Sequence, residues 1–363
     1  WLCAAAAAEA EEAALVAWIR EGGGSVSALQ RVETRDGLRG VFATDAIPND
    51  ATLATVPWSH VLAADAQCEA VALLRRELAL GARSAYAPYL ASMASYAPNM
   101  PFLWHPTALD AVARLPPHDW TRHRAWFEEA CGAGDLDGDA LTRRALELFL
   151  PRSVGDADVA FIMCPVFDLY NHRNAGLDNV RIRIRKGEFI EVYAARDVAK
   201  GEQLFYSYGD GTPALFRDYA FVEFLPQRWT VGEHEWLILP PPPPGVDDDS
   251  LAVPPPPLEW VSVPPSSREA FDASIAPMLG DLVRRVPDPA LPAPADDPAF
   301  ETHLRLALEY RAALAAAIDA ARRHLPAADD LAAFAASTGG DAPEEATMHQ
   351  RHYQPVVSEH QEL

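Results

Sequence analysis

Asp168, Asn171 and His172 fall within one five-residue span of FDLYNHRNAGLDN, Phe167 to Asn179, where an extended stretch ends and a loop begins. Polar side chains beside Val166, Phe167 and Leu169 have two uses there. Asp and Asn can close turns through their own backbone, with His172 a satisfied buried histidine, or the three can hold a polar ligand. As a metal site the set is poor, because no second His or carboxylate follows at i+4 on a helix. GEQLFYSYG, Gly201 to Gly209, alternates so that Leu204, Tyr206 and Tyr208 share one strand face and Phe205 and Ser207 the other. Neighbouring strand tyrosines serve as core residues with their hydroxyls at the rim, or they wall a narrow channel for an alkyl chain ending in an amine. LFRDYAFVE, Leu215 to Glu223, adds Tyr219. In DGLRGVFA, Asp36 to Ala43, Gly37 and Gly40 flank Leu38 and Arg39, which suits a tight turn into a strand or a close approach of backbone to ligand. The spacing is not GxGxxG and no helix follows, so a pyrophosphate site is disfavoured.

The elements that must position these residues alternate in type. Glu9 to Glu21 reads as a helix, with Leu15, Trp18 and Ile19 at helical spacing and Gly22 to Gly24 as its stop. Short strands follow from Leu29 to Val56, then mostly helix from 61 to about 150. Strand character returns at Phe161 to Val166, Val180 to Ile184 and Phe189 to Tyr193. Proline runs at 240–244 and 254–257 predict a linker or long surface loop from Pro240 to Pro265. A helix from about Phe300 to Leu325 should set Leu304, Leu308, Leu314 and Ile318 on one face, with Leu306 and Tyr310 to the side. The acidic, Ala-rich stretch after Pro326 and the tail MHQRHYQPVVSEHQEL lack a period, and fraying is expected there.

Composition narrows the function classes. The 363 residues carry 52 acidic against 30 basic side chains, a formal charge of −22. That leaves no cationic footprint for a phosphate backbone, so nucleic acid is not the expected partner, whereas a basic substrate is attracted. The four cysteines are scattered without a CxxC pair, so neither a structural zinc nor a disulfide framework is expected, and a reducing compartment fits. No apolar run approaches the roughly 20 residues that span a bilayer, so no membrane partner is expected.

In order, GLRGVFATDAIPNDATLATVP, FDLYNH after a helical insert, GEQLFYSYG and RDYAFVE resemble a SET-domain protein methyltransferase, in particular the Rubisco large-subunit methyltransferase group. SAYAPYLASM and PFLWHPTALDAV are similar to that group's helical insert, and FLPRSV to the segment leading into its second half. The likeness runs from about Trp18 to Leu225. Past the prolines it continues in LEYRAALAAAIDAAR, similar to a helix of the group's C-terminal substrate-binding domain.

The resemblance implies an α+β SET-domain fold of short β-sheets with a pseudoknot-like core, a helical insert and a mainly α-helical C-terminal domain. The divisions are 1–60 and 151–226 for the two SET halves, 61–150 for the insert, 227–299 for a Pro-rich linker region and 300–363 for the C-terminal region. It implies S-adenosyl-L-methionine as cofactor, held by Leu38, Arg39, Arg152, Asp168, Asn171, His172 and Tyr219, and a lysine channel in which Tyr219 and Tyr208 act, without a metal. Arg173 stands where the family has a small residue, and Ala220 where it has Gly, which matters if that backbone needs positive φ. The function implied is lysine N-methylation of a non-histone protein. Histidine methylation on the same scaffold, or a SET module that only binds a protein, are the alternatives. The compartment expected is intracellular and reducing, in chloroplast or in cytoplasm and nucleus.

Overall fold

A computed structural model of the chain describes residues 2–35, 38–94, 96, 99–132, 136, 138–155, 160–174, 176–209, 211–240, 256–283 and 299–325. They divide into two compact units, one within 1–98 and 124–208, the other within 99–123 and 209–325. The expected fraying after Pro326 lies outside the described residues, as do Asp36 and Gly37.

Three small sheets build the first unit. Ser25–Val26, Thr52–Pro57, Phe189–Ala194 and Val180–Arg185 form one, all antiparallel, in that order. Its alternation is of the half-buried kind: Ile190, Val192 and Ala194 are buried and the residues between them are not. The second sheet runs Gln30–Arg35, Leu38–Ala43, Gln203–Tyr206, Asn171–His172, and only the last pairing is parallel. A third joins Leu62–Ala64 and Ser153–Val154 to either side of Phe161–Met163. In the insert, Gln67–Leu80 packs on Ala140–Phe149. Asp139 starts the latter helix by accepting from the Leu141 and Thr142 amides at 3.1 and 3.0 Å.

Three expectations need correction here. The first helix begins at Leu2 rather than Glu9. The strand expected through Val166 stops at Met163, because Val166 takes φ 70°, ψ −45°, a conformation no strand accommodates and one that costs a β-branched residue. The cysteines are not all free: Cys68 and Cys131, 63 residues apart, are joined in a disulfide with Cα atoms 5.3 Å apart, while Cys164 is a buried thiol. Scattered spacing hid the pair because the insert folds the chain back on itself between them.

In the second unit the 227–299 region, read as Pro-rich linker, holds an antiparallel sheet of Gln227–Val231, His234–Ile238 and Leu258–Trp260 and a helix, Arg268–Leu282. Trp229, Val231, Trp236 and Ile238 are buried, and this alternation is the strand signal that the neighbouring prolines obscured. The Phe300–Arg323 helix packs beside it. Its buried face includes Leu304, Leu306, Tyr310, Leu314 and Ile318, with Leu308 only half-buried, so Leu306 and Tyr310 lie inside the stripe. Tyr310 stacks on Phe216 at 4.6 Å and donates to the Pro116 carbonyl at 2.5 Å.

Candidate functional site

Asn179, the last residue of the opening motif, is fully buried and pins the site's loop to the Gln203–Tyr206 strand. Its Nδ2 donates to the Gln203 carbonyl at 3.0 Å and its Oδ1 accepts from the Phe205 amide at 2.8 Å. The Asn179 amide in turn donates to the Phe205 carbonyl at 2.9 Å. A side-chain amide that offers donor and acceptor together substitutes here for a strand partner. The sequence carries no signal for this role, since an Asn at the end of a loop motif reads as an ordinary turn residue.

With that loop held, Asn171 and His172 lie parallel to Phe205 and Tyr206. Asn171 Nδ2 donates to the Arg39 carbonyl at 2.7 Å. His172 Nδ1 accepts the Tyr208 amide at 3.0 Å, which leaves the ring proton on Nε2. Gly40 leaves room for this crossing: a Cβ there would lie 2.2 Å from Gln203 Nε2 and 3.0 Å from Asn171 Nδ2, so those side chains would have to shift to admit one. Its absence of a side chain thus serves chain crossing.

Tyr208 is half-buried and donates its hydroxyl to the Tyr170 carbonyl at 3.0 Å. Tyr170 does the same to Gln30 Oε1 at 2.6 Å. Burial pushes both phenols far above the usual tyrosine range, so both stay protonated donors. Phe167 packs edge-on against Tyr206, 4.7 Å between centroids.

Asp168 faces Arg152. Their side chains are 3% and 13% exposed, and Arg152 Nε lies 3.4 Å from Asp168 Oδ2. Tyr89, from the insert's Ala87–Ser92 helix, donates to the same oxygen at 2.9 Å. The Arg152 guanidinium lies 4.0 Å over the Tyr96 ring. Burial pushes the Asp168 carboxyl up, against the pull of Arg152, the Tyr89 hydroxyl and Arg39 in the other direction. Two buried atoms of the pair, Arg152 Nη1 and Asp168 Oδ1, have no hydrogen-bond partner among the described residues. A buried donor and a buried acceptor, each unmatched and both belonging to one Arg–Asp pair, suit a zwitterion, one end of which carries a carboxylate and an ammonium.

The first unit therefore collects Arg39, Arg152, Asp168, Asn171, His172 and Tyr208 in one connected set. Leu38, 56% exposed, stands at the start of the Arg39 strand. Arg173 turns its guanidinium to Phe205, 5.3 Å away, on the strand face opposite Tyr206. Tyr219 belongs to the second unit and closes the helix Thr212–Tyr219. Next to it, Asp218 takes Arg217 Nε at 2.5 Å and Nη2 at 2.7 Å, while His123 Nε2 lies 2.7 Å from its Oδ1. Burial alone would raise the Asp218 carboxyl; Arg217 and His123 outweigh it and hold the group well below the carboxylate range. Ala220 caps the helix at φ 60°, ψ 37°, so this backbone position does take positive φ.

The sequence model of the SET domain matches residues 38–209. No curated protein sequence matches the chain. Among solved structures, Rubisco LSMT bound to AdoMet is similar at 12% identity and TM-score 0.50, covering 89% of this chain and 91% of that one. The SET domain of LSMT bound to lysine and AdoHcy is similar at 12% identity and 0.50, over 88% and 90%. The same domain bound to MeLysine and AdoHcy gives 12% and 0.52, over 96% and 94%. At such identity the likeness is one of fold.

Proposed function

We propose, from the premise that residues 38–209 are a SET domain, that the chain is an S-adenosylmethionine-dependent protein-lysine N-methyltransferase acting on a non-histone protein. The observation that carries this reading is the open, buried pair of Arg152 Nη1 and Asp168 Oδ1, in one unit with the Asn171–His172 crossing. These atoms fit the amino-acid end of the cofactor, Arg152 its carboxylate and Asp168 its ammonium. When bound, the cofactor supplies a methyl group on a sulfonium, whose transfer to an amine is an in-line displacement.

The chain's residues then have to orient and to exclude water. Asn171 fixes the Arg39 strand through its carbonyl, and the Leu38–Arg39 backbone is assigned to contacting the cofactor. The neutral Tyr208 phenol, tied to the Tyr170 carbonyl, acts as a wall and not as a base. A lysine amine, with a free pKa of about 10.4, must arrive without its proton, and an aromatic, apolar surround disfavours the ammonium. Tyr219, in the position of the family's essential tyrosine, is assigned to orienting that amine.

The test is incubation of the purified chain with methyl-labelled S-adenosylmethionine and a soluble extract of its source cells, followed by mass spectrometry, with Tyr219→Phe as control. Lysine label that the control lacks supports the reading. Label on histidine selects the imidazole alternative, and absence of both label and cofactor binding leaves a binding module.

A further inference from the structure

We propose that Tyr89 of the helical insert is a positioning residue for the cofactor, holding Asp168 by Oδ2 so that Oδ1 stays turned toward the ligand beside Arg152 Nη1. The proposal rests on reading that pair as the cofactor's amino-acid subsite.

Tyr89 is completely buried, and a phenylalanine would fill the same space, so the hydroxyl needs its own reason. Its one described partner is Asp168 Oδ2, at 2.9 Å. Arg152 Nε stands at 3.4 Å from that oxygen, well outside the about 2.7–2.9 Å of a tight guanidinium–carboxylate contact. The short contact that fixes the carboxylate's rotation is therefore the phenol's. Arg152 is held from another side by the Tyr96 ring, and its Nη1 remains open. Tyr89 is itself braced: Ser92 Oγ donates to its carbonyl at 2.7 Å, and Ser84 fixes the approach to its helix by accepting the Tyr86 amide at 2.9 Å and donating to Glu77 at 2.8 Å.

The groups that face Asp168 are Arg152 and Arg39, which pull its carboxyl down, Tyr89, which does so by hydrogen bonding, and the buried Cys164 and Tyr208, which titrate far above it. Attraction of an ammonium requires the ionised carboxylate. It is present above the Asp168 pKa and lost as pH falls through it. Removing the Tyr89 hydroxyl raises that pKa further, so the acid-side loss of affinity moves to higher pH.

The experiment measures S-adenosylhomocysteine affinity by calorimetry across pH for the full chain, Tyr89→Phe, Asp168→Asn and the double variant. Tyr89→Phe is expected to weaken binding about tenfold, with its acid limb shifted to higher pH and kcat at saturating cofactor unchanged. In the Asp168→Asn background, where the acid limb is gone, the same change should cost nothing more. Two results overturn the proposal: Tyr89→Phe with unaltered affinity and pH profile, or a loss as large without the Asp168 carboxylate as with it, which marks plain packing. Should the parent chain bind neither S-adenosylmethionine nor its demethylated product, the subsite reading itself falls and the proposal goes with it.

Discussion

At the scale of single residues, the site uses phenols as fixed donors. Tyr208 donates its hydroxyl proton to the Tyr170 carbonyl, and burial raises its pKa far above that of a free tyrosine, against the opposing pull of Arg152. At pH 10, where a free phenol is about half ionised, Tyr208 should contribute no tyrosinate. The ultraviolet difference between the parent chain and Tyr208→Phe measures this directly; half an equivalent of tyrosinate at that pH would show an exposed phenol. Ala220 poses a different balance. Its φ of 60° costs an L-residue about 1–2 kcal/mol. Its buried methyl returns about 0.8 kcal/mol, and Ala spares the about 0.4–1 kcal/mol of chain entropy that Gly loses. The terms nearly cancel, which explains how Ala stands where the family has Gly. Ala220→Gly should leave stability within about 1 kcal/mol, whereas Ala220→Val, β-branched in the same conformation, should lose about 2 kcal/mol or more. Denaturant midpoints of the two variants decide it. The motif residues were readable because their types are unusual at that spacing. Val166 and Asn179 were not, since a positive φ and a buried amide bridge leave no mark in composition.

At the scale of elements, the sequence revealed what has a period and concealed what has none. Val180–Arg185 and Phe189–Ala194 were readable from alternation. The parallel pairing of Asn171–His172 with Phe205–Tyr206 was not, because two residues carry no periodicity, and family likeness implied only a pseudoknot-like core. The Leu258–Trp260 strand was masked by neighbouring prolines. The Thr212–Tyr219 helix is anchored by charge at its C-terminal end. Arg217, 7% exposed, bridges Asp218 and Asp119, and His123 meets Asp218 from the other side. Arg217→Met should strip Asp218 of its principal partner and destabilise by about 3–5 kcal/mol, the range for breaking one member out of a buried pair. Asp218 also sets a pH window. Its folded pKa is depressed, so its contribution is full above the unfolded value of about 3.9 and is lost as pH falls further. Stability followed by denaturation between pH 5 and 2 should fall more steeply in the parent chain than in Asp218→Asn; parallel curves would show that the carboxylate contributes nothing.

At the scale of the whole molecule, the proposed function asks two kinds of electrostatics of the chain. The formal charge of −22 acts over distance through solvent. Ions screen such a field: the Debye length is about 10 Å at 0.1 M salt and about 3 Å at 1 M. Arg152 and Asp168 act at contact, inside the protein, where screening is slight. A basic peptide substrate and the cofactor should therefore respond differently to ionic strength. Between 0.05 and 0.5 M salt, kcat/KM for a lysine-rich peptide is expected to fall several-fold, on the order of 3–10, through slower association. S-adenosylhomocysteine affinity over the same range should change by less than about twofold, since the two groups proposed to meet its charges are buried. Steady-state kinetics and calorimetry on one preparation give both numbers. Cofactor affinity that collapses with salt would place its carboxylate on exposed arginines instead of Arg152. A peptide rate indifferent to salt would mean that the acidic surface lies away from the path by which the substrate approaches, and that recognition rests on short-range contacts.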